Sequence, residues 1–282
     1  MRLLISLTVV LLLSACSTYI GKPATAQPAS VTSSFNIARD VIYTPAGWPQ
    51  ALKADIYQPS GAGAKPAVLL IHGGGWRAPD RREQMASIAE RVAKRGYVVV
   101  NATYRFAPEY LYPAPVDDLR EALKWMRANA AQYQIKPDQI AAMGYSAGGH
   151  LAAMLGVLDG PANVRVQAVV DGAGPSDLRK YKGGTLVPQF LGGTQSQVMP
   201  QFIAASPVTH VSKDDPPVFL YHGTWDTLVP DDHSADFKTA LDAVGIHTEW
   251  FKIIGRGHIT AFFSDGEAID AAIGFLDRSL RR

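Results

Sequence analysis

The chain has 282 residues, with 27 Lys and Arg against 25 Asp and Glu and a single cysteine. The near balance of charge, with no basic run and no aromatic–basic interleaving, argues against a nucleic-acid partner. One cysteine cannot form an intramolecular disulfide, and the length suits one α/β domain with a sizeable core.

Residues 1–15 are set apart from the fold. "MRLLISLTVVLLLSAC" has a single early charge at Arg2 and then an apolar run too short for a comfortable bilayer span, which needs about 20 residues. It reads as a secretory signal peptide whose removal takes away one Arg and leaves a net charge of +1. "LSAC" at 13–16 also resembles the bacterial lipobox. That resemblance implies lipidation of Cys16 and tethering to the bacterial envelope through the lipid alone. Ser17 in place of Asp implies the outer membrane, facing the periplasm or the cell surface. Residues 16–34, rich in Pro, Ala, Ser and Thr without periodicity, read as a flexible tether, and 35–282 as the catalytic domain.

Within that domain strands and helices alternate. "FNIARDVIYT" and "ALKADIYQP" read as a paired antiparallel opening, and "PAVLLI" (66–71) as a buried strand that runs into "HGGGW". "EQMASIAERVAKRG" places Met85, Ile88, Ala89, Val92 and Ala93 on one helical face, with Gly96 as the stop. After the strand "YVVVNATY", Val116, Leu119, Leu123, Met126 and Ala130 recur at helical spacing. "QIAAMG", "VQAVVDG", "PPVFLYHG" and "TEWFKI" read as further strands. "LAAMLGVL", "HSADFKTALDAVG" and "EAIDAAIGFLDRSL" read as helices between and after them. This alternation predicts a mostly parallel sheet covered on both faces. The Gly-, Pro- and Gln-rich stretch between Pro175 and Pro217 reads as an excursion over the mouth of the sheet.

Ligand sites in such sheets lie beyond the carboxyl ends of the strands. Gly144-Tyr145-Ser146-Ala147-Gly148 stands between a strand and a helix, the context a nucleophile elbow needs, with small residues at 144 and 148 letting the chain turn sharply. A serine hydroxyl needs a base, and that base needs an orienting acid. His258 follows the last strand after a glycine turn. Asp226 lies just past the end of the strand before it. His72, His150, His222, His233 and His247 fit the base less well. Asp231 and Asp232 sit at a helix start and read as caps. The order Ser146, Asp226, His258 is nucleophile, acid, base. The glycine loop offers the N–H groups of Gly74 and Gly75, with that of Ala147, as oxyanion donors. "HGGGW" lacks the Lys and Ser/Thr of a P-loop, so the sequence points to acyl chemistry with no cofactor and no metal.

"HGGGW", "YRFAPEYLYPAPVDDLREALKWM", "GYSAGGHLAAML", "HGTWDTLVP" and "GRGH", in this order, resemble the α/β-hydrolase esterases over about residues 40–280. The branch is that of bacterial carboxylesterases and acetylxylan- and feruloyl-esterase-like proteins, related to the hormone-sensitive-lipase group. The resemblance implies a serine carboxylesterase with Ser146 as nucleophile, His258 as base and Asp226 as acid. It implies a structural role for Asp117 and Asp118. Trp76 and Tyr145, beside the glycine loop and the serine, are candidates for lining the substrate pocket. The short opening before "PAVLLI" leaves no room for a large cap, which favours short-acyl or carbohydrate-linked esters. The "HGGxW" form leaves an N-formylkynurenine-type amidase as an alternative, and a peptidase or a non-catalytic surface lipoprotein are further ones. The sequence leaves self-association open.

Overall fold

The computed structural model describes residues 17–21 and 32–281. The expected signal peptide, the lipidation site Cys16 and residues 22–31 lie outside the described residues. Nine strands, β1 (Thr18–Ile20), β2 (Phe35–Ile42), β3 (Lys53–Pro59), β4 (Lys65–Ile71), β5 (Val98–Ala102), β6 (Ile135–Tyr145), β7 (Ala168–Gly172), β8 (Val218–Gly223) and β9 (Thr248–Ile253), form one sheet. Its order is β1-β9-β8-β7-β6-β4-β5-β3-β2. The pairs from β5 through β4, β6, β7 and β8 to β9 are parallel, and β1, β2 and β3 add antiparallel edges.

The apolar runs become strands because both faces are covered. Alternate residues of β4 serve opposite cores: Leu69 and Ile71 pack with α2 (Ala114–Ala128) and α4 (Ala147–Val157), while Val68 and Leu70 pack with α1 (Ala86–Lys94) and α9 (Gly266–Leu280). The short α3 (Ala130–Tyr133) leads into β6, and α7 (Asp232–Ala243) adds Phe237 and Leu241 to the first core. The faces expected from periodicity are buried at Ile88, Ala89, Val92 and Ala93 on α1 and at Val116, Leu119, Leu123 and Met126 on α2, whereas Ala130 falls beyond the end of α2, partly buried in α3. The first turn of that stretch, Arg82–Met85, is 3-10 rather than α.

β5 lies on one side of β4 and the next strand in the chain, β6, on the other. The loops that leave β4 and β6 therefore diverge and open a crevice at their carboxyl ends. "HGGGW" leaves β4 and the serine turn leaves β6.

Three parts of the fold differ from the sequence reading. The tether contributes a strand: β1 pairs antiparallel with β9, and Tyr19 packs edge-on against Phe219 and Phe251 while its hydroxyl donates to Glu249. The excursion holds two helices, α5 (Leu186–Leu191) and α6 (Gln195–Ala204), between 3-10 turns. Finally, His258 stands at the start of a helix, α8 (His258–Phe263), whose six residues are too few to show a period. Among the described residues no helix is long and apolar enough to cross a membrane.

Candidate active site

The turn after β6 is built by close backbone approach. A Cβ on Gly144 would stand 2.2 Å from Gly148 O, and one on Gly148 only 2.1 Å from Ile71 O. Gly149 is pressed against the Asp171 carboxylate in the same way, at 2.4 Å. Only glycine lets α4 start this close to β4 and β7. Ser146, at the tip, has φ +57° and ψ −123°. That conformation costs a non-glycine residue on the order of 1–3 kcal/mol and persists only when its surroundings enforce it. Here Ser146 N donates to Gly172 O at 2.7 Å, and His150 N donates to Ser146 O at 2.9 Å.

Ser146 Oγ lies 2.8 Å from His258 Nε2, and His258 Nδ1 lies 2.6 Å from Asp226 Oδ2. With the Nδ1 proton donated to the carboxylate, Nε2 is free to accept from the hydroxyl. Asp226 Oδ1 accepts the backbone N–H groups of Leu228 (2.9 Å) and Val229 (2.8 Å). Burial alone would raise the Asp226 carboxyl. Hydrogen bonds from His222 and His258, the charge of His258 and the Val229 amide outweigh it, and the group is held well below the usual carboxylate range. The three expected side chains are thus brought together.

Gly74 (φ +112°) and Gly75 (φ +64°) take left-handed conformations that favour glycine. Among the described residues their N–H groups and that of Ala147 enter no hydrogen bond. Gly73, which the sequence does not single out, abuts the serine most closely: a Cβ there would be 3.2 Å from Ser146 Cβ and 2.9 Å from Tyr145 O. Gly75 faces α5, where a Cβ on it would meet the Leu186 side chain at 3.0 Å.

Trp76 and Tyr145 are buried, and the polar atom of each is engaged inside the protein. Trp76 stacks on Phe190 (4.4 Å, 7°) and donates from Nε1 to His150 Nδ1 at 3.2 Å. Tyr145 donates its hydroxyl to the His258 carbonyl at 2.6 Å and packs against Phe262. These contacts make them supports of the glycine loop and of His258, rather than open walls of a pocket. The apolar surface the sequence reading misses stands on the acid and base loops, where Trp225, Leu228, Ile259 and Phe263 are exposed.

The other acids and histidines lie elsewhere or act as supports. Asp118 is buried and accepts from Trp48 Nε1 (2.7 Å), Arg105 N (2.8 Å) and Arg105 Nε (2.8 Å). Asp117 is partly buried on the same helix, α2. Asp231 precedes α7, and Asp232 pairs with Lys180 at 3.1 Å. His72 stacks on Tyr104 and bonds Gly73 O at 2.7 Å. His247 pairs with Glu249 at 3.0 Å. Among the described residues no group of three or more His, Cys, Asp or Glu is placed to hold a metal ion.

A mostly parallel sheet whose serine turn, acid loop and base loop follow the parallel strands β6, β8 and β9 in chain order defines an α/β-hydrolase. Residues 54–241 match the family model described as BD-FAE, and the chain belongs to that family. It is 32% identical over 199 residues to the probable carboxylic ester hydrolase LipM of Mycobacterium tuberculosis, covering 64% of this chain and 46% of that protein. It is 31% identical over 208 residues to the esterase LipQ of the same organism, covering 68% of this chain and 49% of that one. The chain thus spans about half the length of these curated relatives. Among solved structures, a truncated carbohydrate esterase from gut microbiota superposes with a TM-score of 0.79 at 25% identity, covering 91% of this chain and all of that one. Esterase Est2 of the planctomycete Thermogutta terrifontis superposes with a TM-score of 0.72 at 25% identity, covering 88% of this chain and 92% of that one. That enzyme has also been solved with butyrate and with propionate bound.

Proposed function

We propose that the protein is a serine carboxylesterase acting on short-acyl esters of carbohydrates or small alcohols. The observation that carries this reading is the continuous chain Ser146 Oγ, His258, Asp226, with separations of 2.8 and 2.6 Å. Ser146 Oγ attacks the ester carbonyl while its proton passes to His258 Nε2. The N–H groups of Gly74, Gly75 and Ala147 receive the oxyanion, an interaction that strengthens as charge builds on the oxygen. His258 then gives the proton to the departing alkoxide oxygen. Water, deprotonated by the same imidazole, releases the acid and restores Ser146. Asp226 keeps the imidazole oriented and stabilises its cationic form.

Short acyl groups are supported by Leu186 against Gly75 and by the small excursion in place of a large cap. The short acids bound to Est2 support the same size. Carbohydrate-linked esters are supported by the gut-microbiota relative and by the exposed rim of Trp225, Leu228, Ile259 and Phe263 around the acid and base loops. Ser146→Ala is expected to lower kcat/KM on p-nitrophenyl acetate about 10⁴-fold while leaving thermal stability intact. Retention of wild-type rates by that variant would refute the assignment, and turnover of N-formylkynurenine without ester turnover would replace esters by amides. The lipobox-like "LSAC" further supports attachment to the envelope through Cys16. Cys16→Ser is then expected to move the protein out of membrane fractions, and its retention there would count against the anchor.

A further inference from the structure

Asp226 holds a second histidine. His222, at the end of β8 and fully buried, directs Nε2 at Asp226 Oδ2 (3.2 Å) and at Val229 O (2.7 Å). A carbonyl oxygen can only accept, so Nε2 carries the proton. Nδ1 faces Ser234 Oγ of α7 at 2.8 Å, a hydroxyl able to hydrogen-bond it and hold the ring in this orientation. The polar chain thus runs Ser146, His258, Asp226, His222, Ser234, and joins the serine turn to α7.

With His222 included, Asp226 accepts four hydrogen bonds, two on each oxygen. The backbone donors at Oδ1 fix where the carboxylate sits. The two histidines share Oδ2, the oxygen on which His258 depends. A donor on that oxygen has two consequences. It prevents rotation of the carboxylate away from His258, and it draws off part of the charge that attracts the His258 proton.

We propose that His222 is a positioning residue of the ester-hydrolysing site, which aims Asp226 Oδ2 at His258 and tempers the basicity that Asp226 confers on it. This rests on the triad reading above. The groups that face His222 are Asp226 and Ser234, with Asp171 of β7 and His233 of α7 as its charged or titratable neighbours. Those that face His258 are Asp226, Ser146 and Tyr145.

The test is the pH profile of kcat/KM on p-nitrophenyl acetate for the full chain. Active sites are counted with a fluorophosphonate so that only folded enzyme enters the rate. His222→Leu removes the N–H. It is expected to lower kcat about 30-fold with little change in KM and to move the acid limb up by about half a pH unit, because an untempered carboxylate holds the His258 proton more strongly. His222→Gln places an amide N–H near the same oxygen and is expected to recover most of the rate with the limb near its wild-type position. Ser234→Ala, which keeps the imidazole but loses the hydrogen-bond partner of Nδ1, is expected to move rate and limb the same way by less. Asp171 is pushed up to about 6, by burial against the opposing effects of His222 and the Gly174 amide, and so titrates in the same range. The shift is therefore read again in an Asp171→Asn background, where it persists.

A His222→Leu enzyme that loses rate with an unmoved acid limb would overturn the proposal and leave His222 as a tie for the 224–229 loop. So would disappearance of the shift with Asp171. Should His222→Leu fail to fold, an unmoved limb in Ser234→Ala overturns it equally. Failure of the triad reading shows separately, as activity that survives Ser146→Ala.

Discussion

The serine turn and the 175–217 excursion meet across the glycine loop and are held by opposite means. At the turn, backbone lies on backbone: Gly144, Gly148 and Gly149 each stand where a Cβ would fall within 2.4 Å of a neighbouring backbone or carboxylate atom. In the excursion Gly183 and Gly184 have open space around them. There the chain is pinned by side chains reaching from far away. Phe190 stacks on Trp76, Tyr112 donates to Ala204 O at 2.6 Å, and His150 Nε2 donates to Ala205 O at 2.7 Å. Backbone contacts admit one residue type at fixed spacing and so write a motif. Side-chain contacts admit many solutions and leave no local pattern.

If that contrast holds, one methyl group in the turn should do more damage than a large deletion in the excursion. Gly148→Ala places its Cβ against Ile71 O, a backbone atom of the central strand that cannot yield. A cost of about 5 kcal/mol or more is expected, comparable to the whole stability of a marginal domain. The measurement is soluble yield and urea denaturation, and a well-folded variant would break the comparison. Phe190→Ala empties a fully buried site between Trp76, Tyr112 and His150. It is expected to cost about 3–4 kcal/mol, with Ser146 still reactive toward a fluorophosphonate and KM raised. Loss of that labelling at a temperature where the variant is folded would show that the turn depends on the excursion after all.

The same contrast explains how much is legible in the sequence. Strands β4 to β9 are legible because buried parallel strands are apolar runs of limited length, and the triad because each member follows its own strand. β1 escapes because three residues carry no pattern, and its fixation depends on Phe219, Phe251 and Glu249, far along the chain. α5 and α6 escape because the residues that hold them belong to other elements. Trp76 reads as a pocket wall since its sequence neighbours are the glycine loop; its stacking partner Phe190 has no local signature. His222 reads as a strand end, although its spacing from Asp226 is on view. Nothing local shows that the turn at 223–226 folds the acid back over it, bringing Nε2 to Oδ2.

The smallest effect concerns the seam between the two regions, where neutral histidines do the joining. His150 accepts from Trp76 at Nδ1 and donates from Nε2, and His233 accepts from Asp177 N at Nδ1 (3.2 Å). Protonation would set N–H against N–H at both places. Burial lowers His72, His150 and His233 to about 4 each. A depressed value means stability that is whole above the unfolded value near 6.5 and is lost as pH falls toward 4. Asp171 and Asp265 oppose this. Burial raises each to about 6, so their contribution is present below the unfolded value near 3.8 and is lost as pH rises through 6. Between pH 7 and pH 5 the three histidines lose more than Asp171 and Asp265 gain, so these five groups together destabilise the fold on acidification. Urea midpoints across that range measure it. Hydrogen exchange should show residues 175–217 opening before α4, because acid removes the side-chain ties, whereas the Gly144 and Gly148 contacts are backbone on backbone and the Asp171 carboxyl against Gly149 is neutralised in place by acid. Stability that rises on acidification, or α4 opening first, would mean that the histidines are not what joins the two regions.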